Sequence, residues 1–205
     1  MKGLLRKDLY MAAAFCRTYL LILVVFLAVG AVNNENSFFL IYPMIIGVML
    51  PVSLIGYDER FKWHVACDAL PVSRAQAVSS KYILTLLIVG LVFLLTMLVQ
   101  AVVMIRQGTP EKLRELPGLL LPIGLAGPAL LLPVIFRLGV EKGRIFYYLL
   151  VGVVCAAAVI FSSGVTSEDP TARVQLPGTL LVLAGAALFA LSWLLAIFLY
   201  QRREL

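Results

Sequence analysis

The sequence predicts an all-α membrane protein with six transmembrane helices and both termini in the cytoplasm. Three observations support this fold class: 62% of the 205 residues are apolar, the mean hydropathy is +1.00, and only 14% of the residues carry charge. A soluble domain of this length could not bury so much apolar surface. At about 20 apolar residues per crossing, the same positions supply about six spans. The composition argues against a soluble enzyme, a secreted disulfide domain and a disordered chain.

Apolar runs separated by charged breaks place the six predicted spans. They cover residues 18–32, 38–57, 78–105, 117–138, 145–163 and 177–200. The first run is short unless residues 12–17 extend it, and the third, with 28 residues, is long. At 1.5 Å per residue the third run covers about 42 Å, so we expect that helix to tilt or to project beyond the bilayer core. No repeat or soluble domain interrupts the spans, and residues 1–205 are predicted to form one transmembrane domain.

The basic residues predict the orientation of the chain. With the N-terminus inside, 13 lysines and arginines fall in cytoplasmic stretches and only four fall outside. The four outside are Arg106, Lys112, Arg114 and Arg173. Cytoplasmic loops of membrane proteins carry such an excess, which places both termini inside. Because the basic residues are dispersed along the chain, the net charge of +6 does not predict nucleic-acid binding.

Residues 1–17 are predicted to form an amphipathic helix that lies in the headgroup plane before the first span. Apolar side chains recur on one side of this helix, and basic side chains spread over the rest. The candidate interfacial residues are Leu4, Leu5, Arg6, Lys7 and Leu9. A cleavable signal peptide with small residues at 28–30 is the alternative.

The sequence lacks the motifs of the common catalytic sites. It contains no G-x-x-x-x-G-K-[ST] loop for ATP and no His-Glu-x-x-His motif. The sole histidine, His64, cannot build a metal site alone, and the three cysteines are too far apart for a disulfide framework or a metal site. No Asp or Glu lies in the middle of a predicted span, which disfavours an ion-coupled carrier. We therefore expect no enzyme activity, cofactor or metal in this chain.

The cytoplasmic loop 58–74 has the pattern of a short amphipathic helix between two spans. Its acidic start suits a helix N-terminus, its Leu-Pro pair ends the helix, and Ser73 can cap the next helix. The candidate docking residues are Asp58, Glu59, Phe61, Lys62, Trp63, Val65, Leu70, Pro71 and Arg74. Two interpretations remain open. The helix either rests on lipid with Trp63 at headgroup level, or docks a cytoplasmic partner through Phe61 and Trp63.

Two segments of the sequence resemble small ABC-2 type permease subunits. One segment reads Asp58-Glu59 … Trp63 … Leu70-Pro71-Val72-Ser73-Arg74 … Ser80-Lys81-Tyr82, and the other reads Leu4-Leu5-Arg6-Lys7-Asp8-Leu9. Within that family the chain is similar to permeases that export phenol-soluble modulins or confer resistance to antimicrobial peptides. Together with the six-span layout, the resemblance covers nearly the whole chain.

The resemblance implies an exporter subunit in the bacterial cytoplasmic membrane. Two copies of a separate ABC ATPase would bind ATP and Mg, and a second permease copy or a homologue would complete the transporter. Residues 58–70 would form the coupling helix in a groove of the ATPase, and residues 1–17 the elbow helix. Arg74 and Lys81 would pair with Asp58 or Glu59, or anchor the inner leaflet. The implied cargo is an amphipathic or hydrophobic peptide or a similar molecule.

The fourth predicted span is rich in proline, with Pro117, Pro122, Pro128 and Pro133. Proline removes a backbone donor, and such breaks persist in a membrane only where protein or water satisfies the freed groups. This span is either a flexible wall of the transport path or a kinked packing helix. At the level of the whole chain, the alternative to an exporter subunit is a membrane scaffold or assembly protein that docks a cytoplasmic partner.

Overall fold

The fold is all helical in a computed structural model that describes residues 2–15, 17–32, 38–63, 73–108, 113–114, 116–146, 148–149, 152 and 177–201. No strand occurs in these ranges. The six main helices are α1 (Lys2–Phe15), α2 (Arg17–Val32), α3 (Phe38–Arg60), α4 (Arg74–Gln107), α5 (Leu116–Leu138) and α6 (Gly178–Gln201). A further helical segment, 140–146, follows α5 directly.

Four helices, α3 to α6, are long and apolar enough to cross a membrane. The helices α1 and α2 meet at 69° and add a fifth candidate if the pair is one bent span. The predicted all-helical membrane fold is confirmed, and α3 to α6 coincide with the second, third, fourth and sixth predicted spans. The predicted fifth span, 145–163, falls almost wholly outside the described residues. Helix α4 has 34 residues, so the expectation of an unusually long third helix is confirmed.

Helix α5 packs against three neighbours through its glycines. A Cβ atom added to Gly118 would lie 2.8 Å from the Cα of Gly178 on α6, so the two backbones touch. An added Cβ on Gly124 would clash with Met44 of α3 and with Val89 of α4, and one on Gly127 would lie 3.0 Å from a methyl group of Val48 on α3. Helix α5 remains continuous over 23 residues despite its internal prolines. The packing-helix interpretation of this segment is therefore the one that its contacts support.

A polar network joins α4 to α6 near one end of the bundle. The Tyr82 hydroxyl lies 2.8 Å from the Ser192 hydroxyl and donates to the Ser192 carbonyl at 3.0 Å. The Trp193 indole N–H donates to the Ser79 hydroxyl at 3.1 Å, and the Tyr82 and Trp193 rings stack with centroids 5.6 Å apart. Buried hydroxyl and indole groups need such partners. These contacts join α4 to α6, and the glycine contact described above joins α6 to α5.

Candidate functional site: a charged junction between α1, α3 and α4

Helix α3 continues one turn beyond the predicted end of its span. Asp58 and Glu59 lie in its last turn, before Arg60, and not in the first turn of a separate loop helix as the sequence predicted. The Phe61 N–H still donates to the Tyr57 carbonyl at 3.0 Å, and the backbone turns away only at Lys62, with φ of 51°. The change from apolar to charged residues thus marks the end of the apolar run but not the end of the helix.

Two acids at a helix C-terminus face the negative end of the helix dipole, so they need compensating partners. The side chain of Asp58 finds two: Lys7 of α1, with Nζ 2.6 Å from Oδ1, and Lys81 of α4, which binds Oδ2. The predicted pairing of Lys81 with Asp58 is confirmed. The sequence did not indicate Lys7 as a partner, because the contact joins residues 51 positions apart.

Asp8 of α1 completes a ring of alternating charges. Its Oδ1 lies 2.7 Å from the Nζ of Lys81 and 3.2 Å from the Nζ of Lys7. We call Lys7, Asp8, Asp58 and Lys81 the charged junction. Each ammonium group touches both carboxylates, which offsets part of the cost of removing four charges from water. The junction fixes α1 to the end of α3 and to the start of α4.

Asp8 is the most deeply buried member of the charged junction, with a side chain only 1% exposed. Its second oxygen, Oδ2, has no hydrogen-bond donor among the described residues. Sequence reasoning missed this residue as a site candidate. The available signal was that Asp8 is the only acid in the otherwise basic segment 1–17.

Trp63 and Phe15 add aromatic contacts around the charged junction. The Nζ of Lys7 lies 4.0 Å from the centroid of the Trp63 ring, a cation–π geometry. Phe15, at the end of α1, packs on Tyr57 with ring centroids 4.9 Å apart and approaches Phe61 at 6.4 Å. The beginning of the predicted docking loop therefore contacts α1 at two places.

Glu59 connects the end of α3 to the segment that follows α5. Its Oε2 accepts the Val140 N–H at 3.0 Å, and Val140 begins the helical segment 140–146. Gly139 precedes it with φ of 87°, a conformation that favours glycine, and a Cβ there would lie 3.6 Å from Oε1 of Glu59. A carboxylate at a helix N-terminus is favourable because it accepts an otherwise unpaired N–H.

The start of α4 is fixed by a capping box, as the sequence predicted for Ser73. The Ser73 hydroxyl accepts the Gln76 N–H at 3.2 Å, and the Gln76 side-chain oxygen accepts the Ser73 N–H at 3.3 Å. Arg74 follows in the first turn and is exposed. Of the other candidate docking residues, Phe61 and Lys62 are exposed and Trp63 is half-buried, whereas Val65, Leu70 and Pro71 lie outside the described residues.

The candidate interfacial residues of α1 divide into two groups. Leu4 and Leu5 are half-buried against the bundle, and so is Lys7, which belongs to the charged junction. Arg6 and Leu9 face outward, and 44% of Leu9 is exposed. The helix therefore presents part of its apolar surface away from the protein.

A cavity of about 270 Å³ lies beside the charged junction. Ile55, Val78 and Ile135, all buried, form its floor, and Trp63 and Tyr200 stand at its rim. Among the described residues, no three His, Cys, Asp or Glu side chains are grouped closely enough to hold a metal ion.

The fold and the charged junction define a class of protein: a multi-pass helical membrane protein whose N-terminal helix is locked to the adjoining ends of two long helices. The family model described as ABC-2 family transporter protein matches residues 3–201. The chain therefore belongs to the ABC-2 transporter family, and the resemblance seen in its sequence is confirmed. It is a permease component of an ABC transporter, a class that works with an ABC ATPase. No curated protein matches the sequence at a significant level.

Proposed function

We propose that this chain is the membrane subunit of an ABC exporter in the bacterial cytoplasmic membrane, with six spans and both termini in the cytoplasm. The excess of basic residues in the predicted inner stretches supports this orientation. Leu4 of α1 and Tyr200 of α6 line the same cavity, which supports placing both terminal helices at one membrane face. A second permease copy or a homologue and two ATPase subunits complete the transporter.

The observation that carries the proposal is the charged junction at the two ends of the loop 58–74. Residues 58–70 are the proposed coupling element, which the partner ATPase pushes when it binds ATP with Mg and closes. Asp58 passes the displacement to α1 through Lys7 and to α4 through Lys81. Glu59 passes it to the segment 140–146 through the Val140 N–H. One movement of the loop would therefore reach α3, which carries both acids, and through them α1, α4 and the segment 140–146.

The proposed cargo is amphipathic or hydrophobic. Polar side chains inside the described spans are few, and several of them donate hydrogen bonds within the protein. The Ser53 hydroxyl donates to the Tyr19 hydroxyl at 2.9 Å. The hydroxyls of Thr85 and Thr96 donate to backbone carbonyls four residues earlier, at 2.7 and 2.8 Å. These hydroxyls have committed their protons within the protein, and the remaining surface of the spans is mainly apolar, which supports an apolar or amphipathic cargo.

The test uses the permease co-expressed and purified with its partner ABC ATPase, which is sought first among the neighbouring genes. We expect Phe61→Ala and Trp63→Ala to reduce both ATPase co-purification and permease-stimulated ATP hydrolysis. Leu94→Ala is the matched control, because Leu94 is exposed on α4 away from the loop. If both loop variants retain binding and stimulation equal to the control, residues 58–70 are not the coupling element.

A second measurement separates an exporter from a scaffold. Proteoliposomes that contain the complex are loaded with ATP and tested for movement of a fluorescent amphipathic peptide. ATP-dependent movement that a Walker-motif variant of the ATPase abolishes supports the exporter. A stable complex that hydrolyses ATP but moves neither the peptide nor a lipid-like probe supports the scaffold.

A further inference from the structure

The cavity beside the charged junction has the volume and the lining expected of a small-molecule site. Its floor is apolar and fully buried at Val78 and Ile135, while Leu4, Trp63 and Tyr200 are half-buried at its rim. An apolar cavity of about 150 Å³ accepts benzene, so about 270 Å³ admits a compact organic molecule of roughly a dozen heavy atoms. The coupling role proposed above needs the charged junction but makes no use of this space.

The charges around the cavity favour a cationic ligand. Among the described lining residues, the two ammonium groups of Lys7 and Lys81 stand against the three carboxylates of Asp8, Asp58 and Glu59, which leaves one excess negative charge. Ligand pockets commonly combine such apolar walls with a few convergent polar groups.

The Oδ2 atom of Asp8 provides a specific anchor. It lies on a side chain that lines the cavity and is 1% exposed, yet it has no donor among the described residues. A buried acceptor without a donor is costly, so a ligand N–H that bonds to it gains more than an ordinary surface hydrogen bond would. Because this atom has almost no accessible surface, a ligand reaches it only when a neighbouring side chain moves. A positively charged donor strengthens the bond further.

Lys7 is the side chain that can yield to an incoming cation. It is the most exposed member of the charged junction, at 24%, and its contact with Asp8 is the longest of the four, at 3.2 Å. Its ammonium group occupies the face of the Trp63 ring at 4.0 Å. A ligand cation placed there would contact the same ring and the same carboxylates, while the flexible stem of Lys7 turns towards the surface.

We propose that this cavity binds a cationic amphiphile, a single ammonium or guanidinium group on a compact apolar body, with Asp8 as its anchor. The apolar body lies against the half-buried lining side chains of Leu4, Phe136 and Tyr200, and the cation lies between Asp8 and Trp63. This inference goes beyond the transport function, because the described residues that form the site all belong to one permease chain, and binding needs neither ATP nor a partner subunit.

The experiment titrates the full-length permease in nanodiscs of zwitterionic lipid with three probes of similar size and different charge: 4-phenylbutylamine, 4-phenylbutan-1-ol and 4-phenylbutyrate. Binding is read from tryptophan emission, since Trp63 lines the cavity and Trp193, the other tryptophan of the chain, does not. We expect saturable quenching by the amine with an affinity about tenfold or more above that of the alcohol and the acid, a difference of about 1.4 kcal/mol or more.

Three variants give opposing expectations. Asp8→Asn should weaken amine binding about tenfold without changing alcohol binding. Lys7→Gln should strengthen amine binding, because a competing cation is removed. Ala77→Phe should abolish binding of all three probes, because Ala77 lines the cavity and a phenyl ring would fill it. Gln76→Phe, at an exposed neighbouring position, is the control for Ala77→Phe.

Equal affinity for the amine and the alcohol would overturn the proposal, and so would amine binding that survives Ala77→Phe. If Asp8→Asn does not fold, the opposite effects of Lys7→Gln and Ala77→Phe still decide the matter. If the complex binds the amine but transports no peptide in proteoliposomes, the proposed transport function is wrong, whereas the proposed binding site is still supported.

Discussion

Asp58, in the last turn of α3, and Lys81, in the second turn of α4, form an ion pair that closes the loop between the two helices. The pair joins residues 23 positions apart, and the whole of the predicted docking loop lies between them. The ends of this loop are therefore held at a fixed distance whatever conformation the intervening residues adopt. Lys7 and Asp8 connect the same pair to the N-terminal helix.

Removal of Lys81 should destabilise the protein strongly. Lys81→Met leaves Asp8 and Asp58 with one ammonium group between them, and breaking a buried ion pair costs about 3–5 kcal/mol. We expect Lys81→Met to lower the thermal unfolding midpoint in detergent strongly. Lys81→Arg keeps the positive charge and should lower the midpoint less. Arg106→Met, at the exposed far end of α4, is the control. A midpoint equal to that of the control would show that the charged junction contributes little.

Glu59→Gln should affect permease-stimulated ATP hydrolysis without affecting the binding of the ATPase. The amide keeps a hydrogen bond from the Val140 N–H at reduced strength, but the negative charge at the start of the segment 140–146 is lost. We expect ATPase binding to persist while permease-stimulated ATP hydrolysis falls several-fold. Glu141→Gln, an exposed neighbour, is the matched control. Unchanged stimulation in Glu59→Gln would exclude the proposed path to this segment.

Gly139→Ala should destabilise the connection between α5 and the segment 140–146. A side chain at φ of 87° is strained by about 1–2 kcal/mol, and the added methyl group also faces Glu59 at 3.6 Å. Gly3→Ala is the control, because nothing lies within 4 Å of the added atom. Thermal unfolding of both variants tests this expectation, and equal midpoints would contradict it.

Gly118→Ala should disturb the close contact between α5 and α6. The added Cβ would lie 2.8 Å from the Gly178 Cα, so the helices must separate, at a cost of about 1–3 kcal/mol. Gly90→Ala on α4, with no atom within 4 Å of its added Cβ, should be neutral or slightly stabilising. The unfolding midpoint of Gly118→Ala should therefore fall while that of Gly90→Ala stays the same or rises, and a Gly118→Ala protein as stable as Gly90→Ala would argue against the tight contact.

Tyr82→Phe should cost about 1 kcal/mol, the value of a typical buried hydrogen bond, because the Ser192 partner loses its hydroxyl contact. The aromatic stacking with Trp193 should persist, so the loss should be smaller than in Tyr82→Ala. Tyr10→Phe, on the exposed side of α1, is the control. Chemical unfolding curves of the three variants provide the comparison.

The positions of α3 to α6 were predictable because each is a long apolar run bounded by charged residues, a pattern that depends only on local sequence. The capping of α4 by Ser73 was predictable for the same reason. The charged junction was only partly predictable. Asp58 and Lys81 flank one loop, whereas the contact of Lys81 with Asp8 joins positions 73 apart. Such a contact depends on how α1 packs against α3 and α4, and the residue pattern within α1 does not predict this packing.

The end of α3 illustrates a second limit. Hydropathy falls at Tyr57, but the helix ends only after Arg60, because Lys7 and Lys81 stabilise the acid at 58 and the Val140 N–H stabilises the acid at 59. Local sequence places these carboxylates at a helix start, where the dipole favours them. Tertiary partners reverse that preference.

Helix α4 is a single rod of 34 residues, about 51 Å long, held at one end by the Ser73 cap and ended at the other by Gly108. Rigid rods amplify rotation. A pivot of about 5° at the charged junction would carry the opposite end of a helix of that length through about 4 Å. A lever of this length needs only a small stroke at one membrane face to widen or close a passage at the other.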